Sequence, residues 1–265
     1  MVNVVIAELR KMKRPSLLYV ITGLLTLLSI LFTSLVFLRT SSTSGKRGSI
    51  SGTVQSTESL SKFDGGYFTF GLMGLFLGLI ALTVFASQSS NEYSFGTLRN
   101  LLVRQPNRFL LLGGKLVAMA FFAFAIVTYV AVVNISLSFI ESGHSQVNTK
   151  LWLSSKAIHA FASVYGNMLL ATIGYGLVGM SLGIILKSPM SAISISLLWF
   201  MVLENILSAV LSSATKWLPG NALSAVSNGG AKIFSYQRGL VMSGVYLLLF
   251  GGTATILFKR RDVAS

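Results

Sequence analysis

The chain has 265 residues and a mean hydropathy of +0.74; 53% of its residues are hydrophobic and 11% charged, which sets it among integral membrane proteins rather than soluble domains. It contains no cysteine, which excludes a disulfide framework and thiol chemistry. The formal charge of +14 is read as orientation-setting residues beside membrane spans, with anionic lipid headgroups as their partners and no nucleic acid.

Residues 1–14 come first. Val2, Val5, Ile6, Leu9 and Met12 share one face of a helical wheel, with Arg10, Lys11 and Arg14 elsewhere around it. That pattern predicts an interfacial amphipathic helix. The apolar run from Leu17 is longer than a signal-peptide core and ends in no small-residue cleavage site, so it reads as a retained span. Six such runs lie near residues 17–38, 67–87, 117–140, 158–186, 191–211 and 240–258. Each can cross a hydrocarbon core about 30 Å thick, which takes roughly 20 helical residues. Nothing between them is large enough for a soluble domain. The expected fold is all-α and integral to the membrane, a single domain over residues 1–265.

Residues 39–66 are rich in Ser, Thr and Gly without periodicity and predict a mobile loop. Span two carries Gly74 and Gly78 at a spacing that permits close helix approach, and span four repeats it at Gly179 and Gly183. Between spans two and three lies NEYSFGTLRNLLVRQPNRFLLLGGK, residues 91–115. Leu98, Leu101 and Leu102 recur on one helical face, Ser94 can cap a helix start, and Pro106 marks a stop. The stretch predicts an amphipathic helix of about three turns over residues 91–107. It is too polar for hydrocarbon and too apolar to stand alone, so it needs a partner surface.

No catalytic constellation is present. His144 and His159 are not spaced with carboxylates as a metal pair. Gly113-Gly114-Lys115 superficially resembles a phosphate loop, but Phe109 and Leu116 stand where that motif needs a glycine and a hydroxyl. No enzyme activity, metal or bound cofactor is expected of the chain itself. Glu204, inside span five, is costly there by about 2.5–3.5 kcal/mol on insertion scales. With its neighbour Asn205 it reads either as a conduit-lining or gating group or as a hydrogen-bonded carboxylate near the outer interface. Asn134 in span three poses the same choice, with helix-to-helix bonding the favoured role.

The turn at Lys187, Ser188 and Pro189 makes spans four and five antiparallel neighbours. In residues 212–239, Leu218, Ala222, Leu223 and Val226 fall on a short helical face between Pro219-Gly220 and Gly229-Gly230. Trp217 and Tyr236 suit a headgroup region, so a re-entrant outer helix and a solvated loop fit these residues equally. The segments on the N-terminal side of the spans hold twelve Lys and Arg, packed close to span ends, against nine on the other side. Both termini are therefore expected in the cytoplasm.

The stretch from Glu92 to Lys115 resembles the signature of ABC-2 type transporter permeases: a glutamate, Gly-Thr-Leu-Arg a few residues on, Pro-x-Arg, then a leucine-rich step to a lysine. The match rests on Glu92, Gly96, Thr97, Leu98, Arg99, Pro106, Arg108 and Lys115. The six-span layout, the basic N-terminus and the closing FKRRD are similar too, and together cover essentially the whole chain.

The resemblance implies the permease half of an ATP-driven exporter in a bacterial plasma membrane. It would pair with a second permease copy or paralogue and with two separate ATP-binding subunits, which carry the ATP and Mg2+. It makes residues 91–107 a coupling helix, with Glu92, Tyr93, Gly96, Thr97, Leu98, Arg99 and Arg108 toward the ATPase. It also favours the re-entrant reading of residues 212–239. The cargo is left open, a small amphipathic compound or a self-immunity substrate being the expectation. A non-transporting anchor or sensor subunit for an ATPase remains as an alternative. So, further off, does an ion-coupled carrier using Glu204, though inverted repeats and broken helices are not evident.

Overall fold

The computed structural model describes residues 2–42, 56–145, 147–211, 213–230 and 234–260, and every regular element among them is helical. Six helical stretches are long and apolar enough to cross a membrane: Pro15–Arg39, Gly65–Ser94, Arg108–His144, Ser155–Leu186, Pro189–Val210 and Tyr236–Arg260. Before the first stands the amphipathic α1 (Val2–Met12), and between the second and third the short α6 (Thr97–Arg104). The fold is thus all-α and multi-pass.

Span one is α2 (Pro15–Ser42). A four-residue α3 (Thr57–Leu60) precedes span two, which is built from a 3-10 turn at Gly65–Tyr67, α4 (Phe68–Leu72) and α5 (Gly74–Ser94). Spans three and four are the long α7 (Arg108–His144) and α8 (Ser155–Leu186). Span five joins α9 (Pro189–Leu197) to α10 (Glu204–Val210) through a π-helical turn at Leu198–Leu203. The nine-residue α11 (Pro219–Ser227) leads to span six, α12 (Tyr236–Arg260).

The central seam is α5 against α8, and it is built from small residues. An added Cβ at Gly179 would meet the carbonyl oxygen of Leu82, and one at Gly78 the ring of Tyr175. The backbones therefore approach as only glycine permits. Spans two and four are each 61% buried over their apolar windows, whereas spans five and six are 17% and 11% buried. The former make the core; the latter present apolar flanks suited to lipid.

On the other side of the core α7 is clasped to α2 by polar pairs. Asn134 Nδ2 donates to Ser29 Oγ at 2.9 Å, Thr33 Oγ1 donates to Asn134 Oδ1 at 3.4 Å, and Ser34 Oγ donates to Glu141 Oε1 at 3.1 Å. Asn134 is fully buried, the helix-to-helix role that its position favours.

Several boundaries depart from the sequence reading. At 37 residues α7 is about 55 Å long at 1.5 Å per residue, far longer than residues 117–140. It runs on through Arg108, Lys115 and Glu141 because each finds a partner. Of the loop expected to be mobile, residues 43–55 lie outside the described residues, but residues 56–66 are folded. Leu60 is buried with Val36, Phe37, Val147 and Trp152, and Trp152 Nε1 donates to Leu60 O at 2.9 Å. Residues 219–227 are no solvated loop. Leu218, Ala222, Leu223 and Val226 are all buried as their periodicity predicts, and α11 packs on α8 and α12.

Candidate functional site

The region between spans two and three gathers at one end of the bundle. The chain leaves α5 through Phe95, whose N–H donates to Asn91 O at 2.9 Å, and Gly96, whose N–H donates to Tyr93 O at 3.1 Å. Gly96 takes φ +64°, a left-handed conformation that glycine adopts without strain and that turns the chain sharply into α6. This corrects one boundary. Ser94 does not cap the short helix; it is the last residue of α5, and its hydroxyl donates to Lys187 O at 3.0 Å in the turn between α8 and α9. The short helix spans eight residues rather than three turns, and it stops at Arg104 just before Gln105 and Pro106.

Leu98 is buried, with Leu101 and Leu102 half-buried against the main core, so the predicted apolar face is the one turned to the bundle. Thr97, Arg99 and Asn100 are exposed, with Phe95 at 75% and Val103 at 79%. After the Pro106 break Asn107 caps α7, its side-chain oxygen accepting from the N–H groups of Phe109 and Leu110 at 3.1 Å each.

The motif residues divide into two groups. Gly96, Thr97 and Arg99 face outward with Phe95 and Val103. Glu92 and Arg108 face inward. Arg108 Nη1 donates to the carbonyls of Phe258 at 2.6 Å and Lys259 at 3.0 Å, a cation set at the C-terminal end of α12 where the helix dipole favours it. Tyr93 is half-buried, with the Lys187 ammonium 5.9 Å from its ring centre.

Glu92 lies in a cluster of four charges. Its Oε1 accepts from Lys11 Nζ at 2.7 Å and from Lys115 Nζ, while Glu8 Oε1 accepts from Lys11 at 2.8 Å and Lys115 at 3.2 Å. The Glu8, Glu92 and Lys115 side chains are between 4% and 7% exposed, and that of Lys11 30%. Two carboxylates thus face two ammoniums with no net charge, joining α1, the end of α5 and the start of α7. Burial pushes the Glu8 carboxyl up, but the Lys115 and Lys11 charges and hydrogen bonds outweigh it and hold it below the ordinary range. Burial likewise pushes Lys11 down, and Glu92 and Glu8 outweigh it, leaving its ammonium above its ordinary value.

Sequence reasoning missed Glu8 and Lys11. It gave α1 only a membrane-surface face; Val2 and Ile6 of that face are indeed exposed, but a second face, running through Val4, Val5, Glu8 and Met12, packs on α7. An added Cβ at Gly114 would meet Val4, so Gly114 lets α1 seat and Lys115 beside it fixes the seat electrostatically. The signal was a lone carboxylate in a basic segment, three residues before a lysine.

At the opposite end, Glu204 is 3% exposed and accepts from Trp199 Nε1 at 2.8 Å, Gly220 N at 2.9 Å and Asn221 N at 3.2 Å. The last two are free donors of the first turn of α11, which Leu218 cannot cap, so the carboxylate does so from a neighbouring element. A Cβ at Gly220 would meet that carboxyl and the Phe200 ring. Asn205 points outward, exposed, its amide donating to Met201 O at 2.8 Å. Glu204, Asn205 and Asn134 are thus not brought together. His144 and His159 are both exposed, and no group of three metal-ligating side chains occurs among the described residues.

A family profile described as protein of unknown function (DUF2705) matches residues 27–264. The chain belongs to DUF2705. Within this family profile lie most of span one, all the later spans, α6, Glu92 and Lys115, whereas Glu8 and Lys11 precede the matched region. No curated protein matches the chain.

Proposed function

We propose that this DUF2705 member is the permease subunit of an ATP-driven exporter, and that α6 docks a separate ATP-binding protein. One observation carries the reading. Between spans two and three, a two-turn helix buries Leu98 against the bundle and presents Arg99, Asn100 and Val103 outward, with Phe95 exposed in the turn before it. An exposed aromatic and a guanidinium close together in one short segment are residue types enriched at protein interfaces.

The resemblance of residues 92–115 to ABC-2 permeases supports the same assignment. So does the charge distribution, whose bias favours a cytoplasmic side for this end of the bundle and both termini, where ATP is available. On this reading the protein pairs with a second permease and two ATPase subunits, and hydrolysis takes place on those subunits. Glu92 and Arg108 hold the docking helix in place from within, while Arg99 makes the direct contact with partner carboxylates.

The test uses the full chain in native membranes. A photo-crosslinking residue at Val103 should capture a soluble protein that binds ATP, and Arg99→Ala should weaken that capture and the coupled ATP hydrolysis. Loss of a partly buried charge pair costs about 2–5 kcal/mol, against about 0–1 kcal/mol for an exposed rim pair. Crosslinking at Val103 to lipid alone, with hydrolysis untouched by Arg99→Ala, would make α6 a surface anchor and refute the reading.

A further inference from the structure

Beside the charge cluster, a cavity of about 390 Å³ opens between α1, α5 and α6, and a second of about 480 Å³ between α2, α5 and α9. The two share Arg14, Gln88 and Asn91, so they form one continuous groove. Its two halves differ in chemistry. The first adds four polar side chains, Lys11, Glu92, Thr97 and Asn100, beside the apolar Phe95 and Leu101. The second adds five hydrocarbon side chains, Leu17, Val20, Ile21, Val84 and Ile193, with only the small hydroxyls of Ser16, Thr83 and Ser87 among them.

The boundary between the halves coincides with the point where the chain enters its first span. Arg14 stands in the short break between α1 and α2, and Pro15 begins the apolar run. The first intrahelical bond of α2 runs from Leu18 N to Arg14 O at 3.1 Å, and Ser16 and Leu17, ahead of it, line the groove. The positive end of a 28-residue helix therefore adds to the guanidinium there. Among the described residues the one carboxylate lining either half, Glu92, is neutralised by Lys11 and Lys115.

We propose that this groove holds one anionic glycerophospholipid, its phosphate on Arg14 with the amides of Gln88 and Asn91, and an acyl chain between α2, α5 and α9. A free phosphate would leave the apolar half empty, and an uncharged lipid would leave Arg14 unmatched. The site involves no ATPase and does not depend on the export reading.

The full chain, purified in detergent and stripped of lipid, is titrated with phosphatidylglycerol and phosphatidylcholine of equal chains and with glycerol 3-phosphate, bound molecules being counted by native mass spectrometry. One phosphatidylglycerol per chain is expected, held in preference to phosphatidylcholine. Arg14→Gln should weaken phosphatidylglycerol about fivefold and phosphatidylcholine little, since one basic residue is removed at the headgroup level. Ile193→Trp, which fills the apolar half, should weaken both lipids. Thermal unfolding of each variant checks folding, and Gln88→Leu serves if Arg14→Gln does not fold. The proposal is overturned if Arg14→Gln acts no more strongly than Arg39→Gln at the far end of α2. It is equally overturned if glycerol 3-phosphate displaces the lipid, or if a second copy of the chain covers Ile193 with no lipid retained.

Discussion

Replacing Lys115 with methionine keeps the side chain's length and removes its charge. In the native cluster the Lys115 ammonium, 7% exposed, serves both Glu8 and Glu92. Without it two buried carboxylates share Lys11 alone, at 2.8 and 2.7 Å. Breaking a buried pair by removing one partner costs about 3–5 kcal/mol, because the surviving charge stays buried. The double variant Lys115→Met with Glu92→Gln restores a balanced Glu8–Lys11 pair. It should therefore cost about 1–3 kcal/mol less than the two single changes summed.

The assay is equilibrium unfolding in mixed micelles over a range of pH. Because the Glu8 carboxyl sits below its ordinary 4.5 in the folded chain, its contribution is full above that value and is lost as pH falls through the folded pKa. Because Lys11 sits above its ordinary 10.5, its contribution is full below that value and is lost as pH rises through the folded pKa. Native stability should thus be flat with respect to this cluster between those limits. In Lys115→Met the burial of Glu8 loses its largest counterweight, and the acid limb should begin at higher pH. A cost under about 1 kcal/mol, the value of an exposed pair, together with an additive double variant would refute the buried-cluster argument.

Gly179→Ala sets a Cβ against the carbonyl of Leu82, which cannot swing aside, and should destabilise by about 1–3 kcal/mol in thermal unfolding. Gly166→Ala on the same helix meets nothing and should be neutral or stabilise by about 0.5–1 kcal/mol. Glu204→Ala strips the acceptor from Gly220 and Asn221 and should cost about 1–3 kcal/mol per orphaned donor, with Glu204→Gln losing less. Unchanged melting of Glu204→Ala would remove the cap from the account of α11. Single cysteines at Ser51 and Asn100, in a chain that has none of its own, report sidedness with an impermeant maleimide on intact cells. Label at Ser51 and not at Asn100 is expected, and the reverse pattern would invert the topology.

How much of this was legible in the sequence depends on the range of the interaction. The stop before Pro106 and the buried face of α11 follow from dihedral preference and periodicity over a few residues, whereas the turn at Gly96 interrupts the helix expected over residues 91–107. Glu92 was taken for a partner-facing charge, but its own partners lie 81 residues before it and 23 after. Local pattern carries no information about such pairing. The same blindness shortened α7, since a charge reads as the end of a span until its counter-charge is known. Arg108 illustrates this, with acceptors 150 and 151 residues away. Glu204 was read correctly as a costly residue that must be satisfied. One of its donors, Trp199, stands five residues before it in the same span, but the other two are backbone N–H groups at the start of α11, 16 and 17 residues on, which no local pattern announces.

The π-helical turn at Leu198–Leu203 gives span five a property that no regular helix has. One extra residue is absorbed in the winding, so the two halves of the span are clocked against each other by about 100° relative to an unbroken helix. That offset is what aims Glu204 at α11 while α9 keeps its own contact with α5. Were the wide turn to tighten into ordinary winding, the lower segment would rotate as a screw. It would carry Glu204 away from Gly220 and turn a different set of side chains to the bundle, with little change in the length of the span. The Glu204 bonds to α11 therefore hold the phase of that screw, since any such rotation would have to break them.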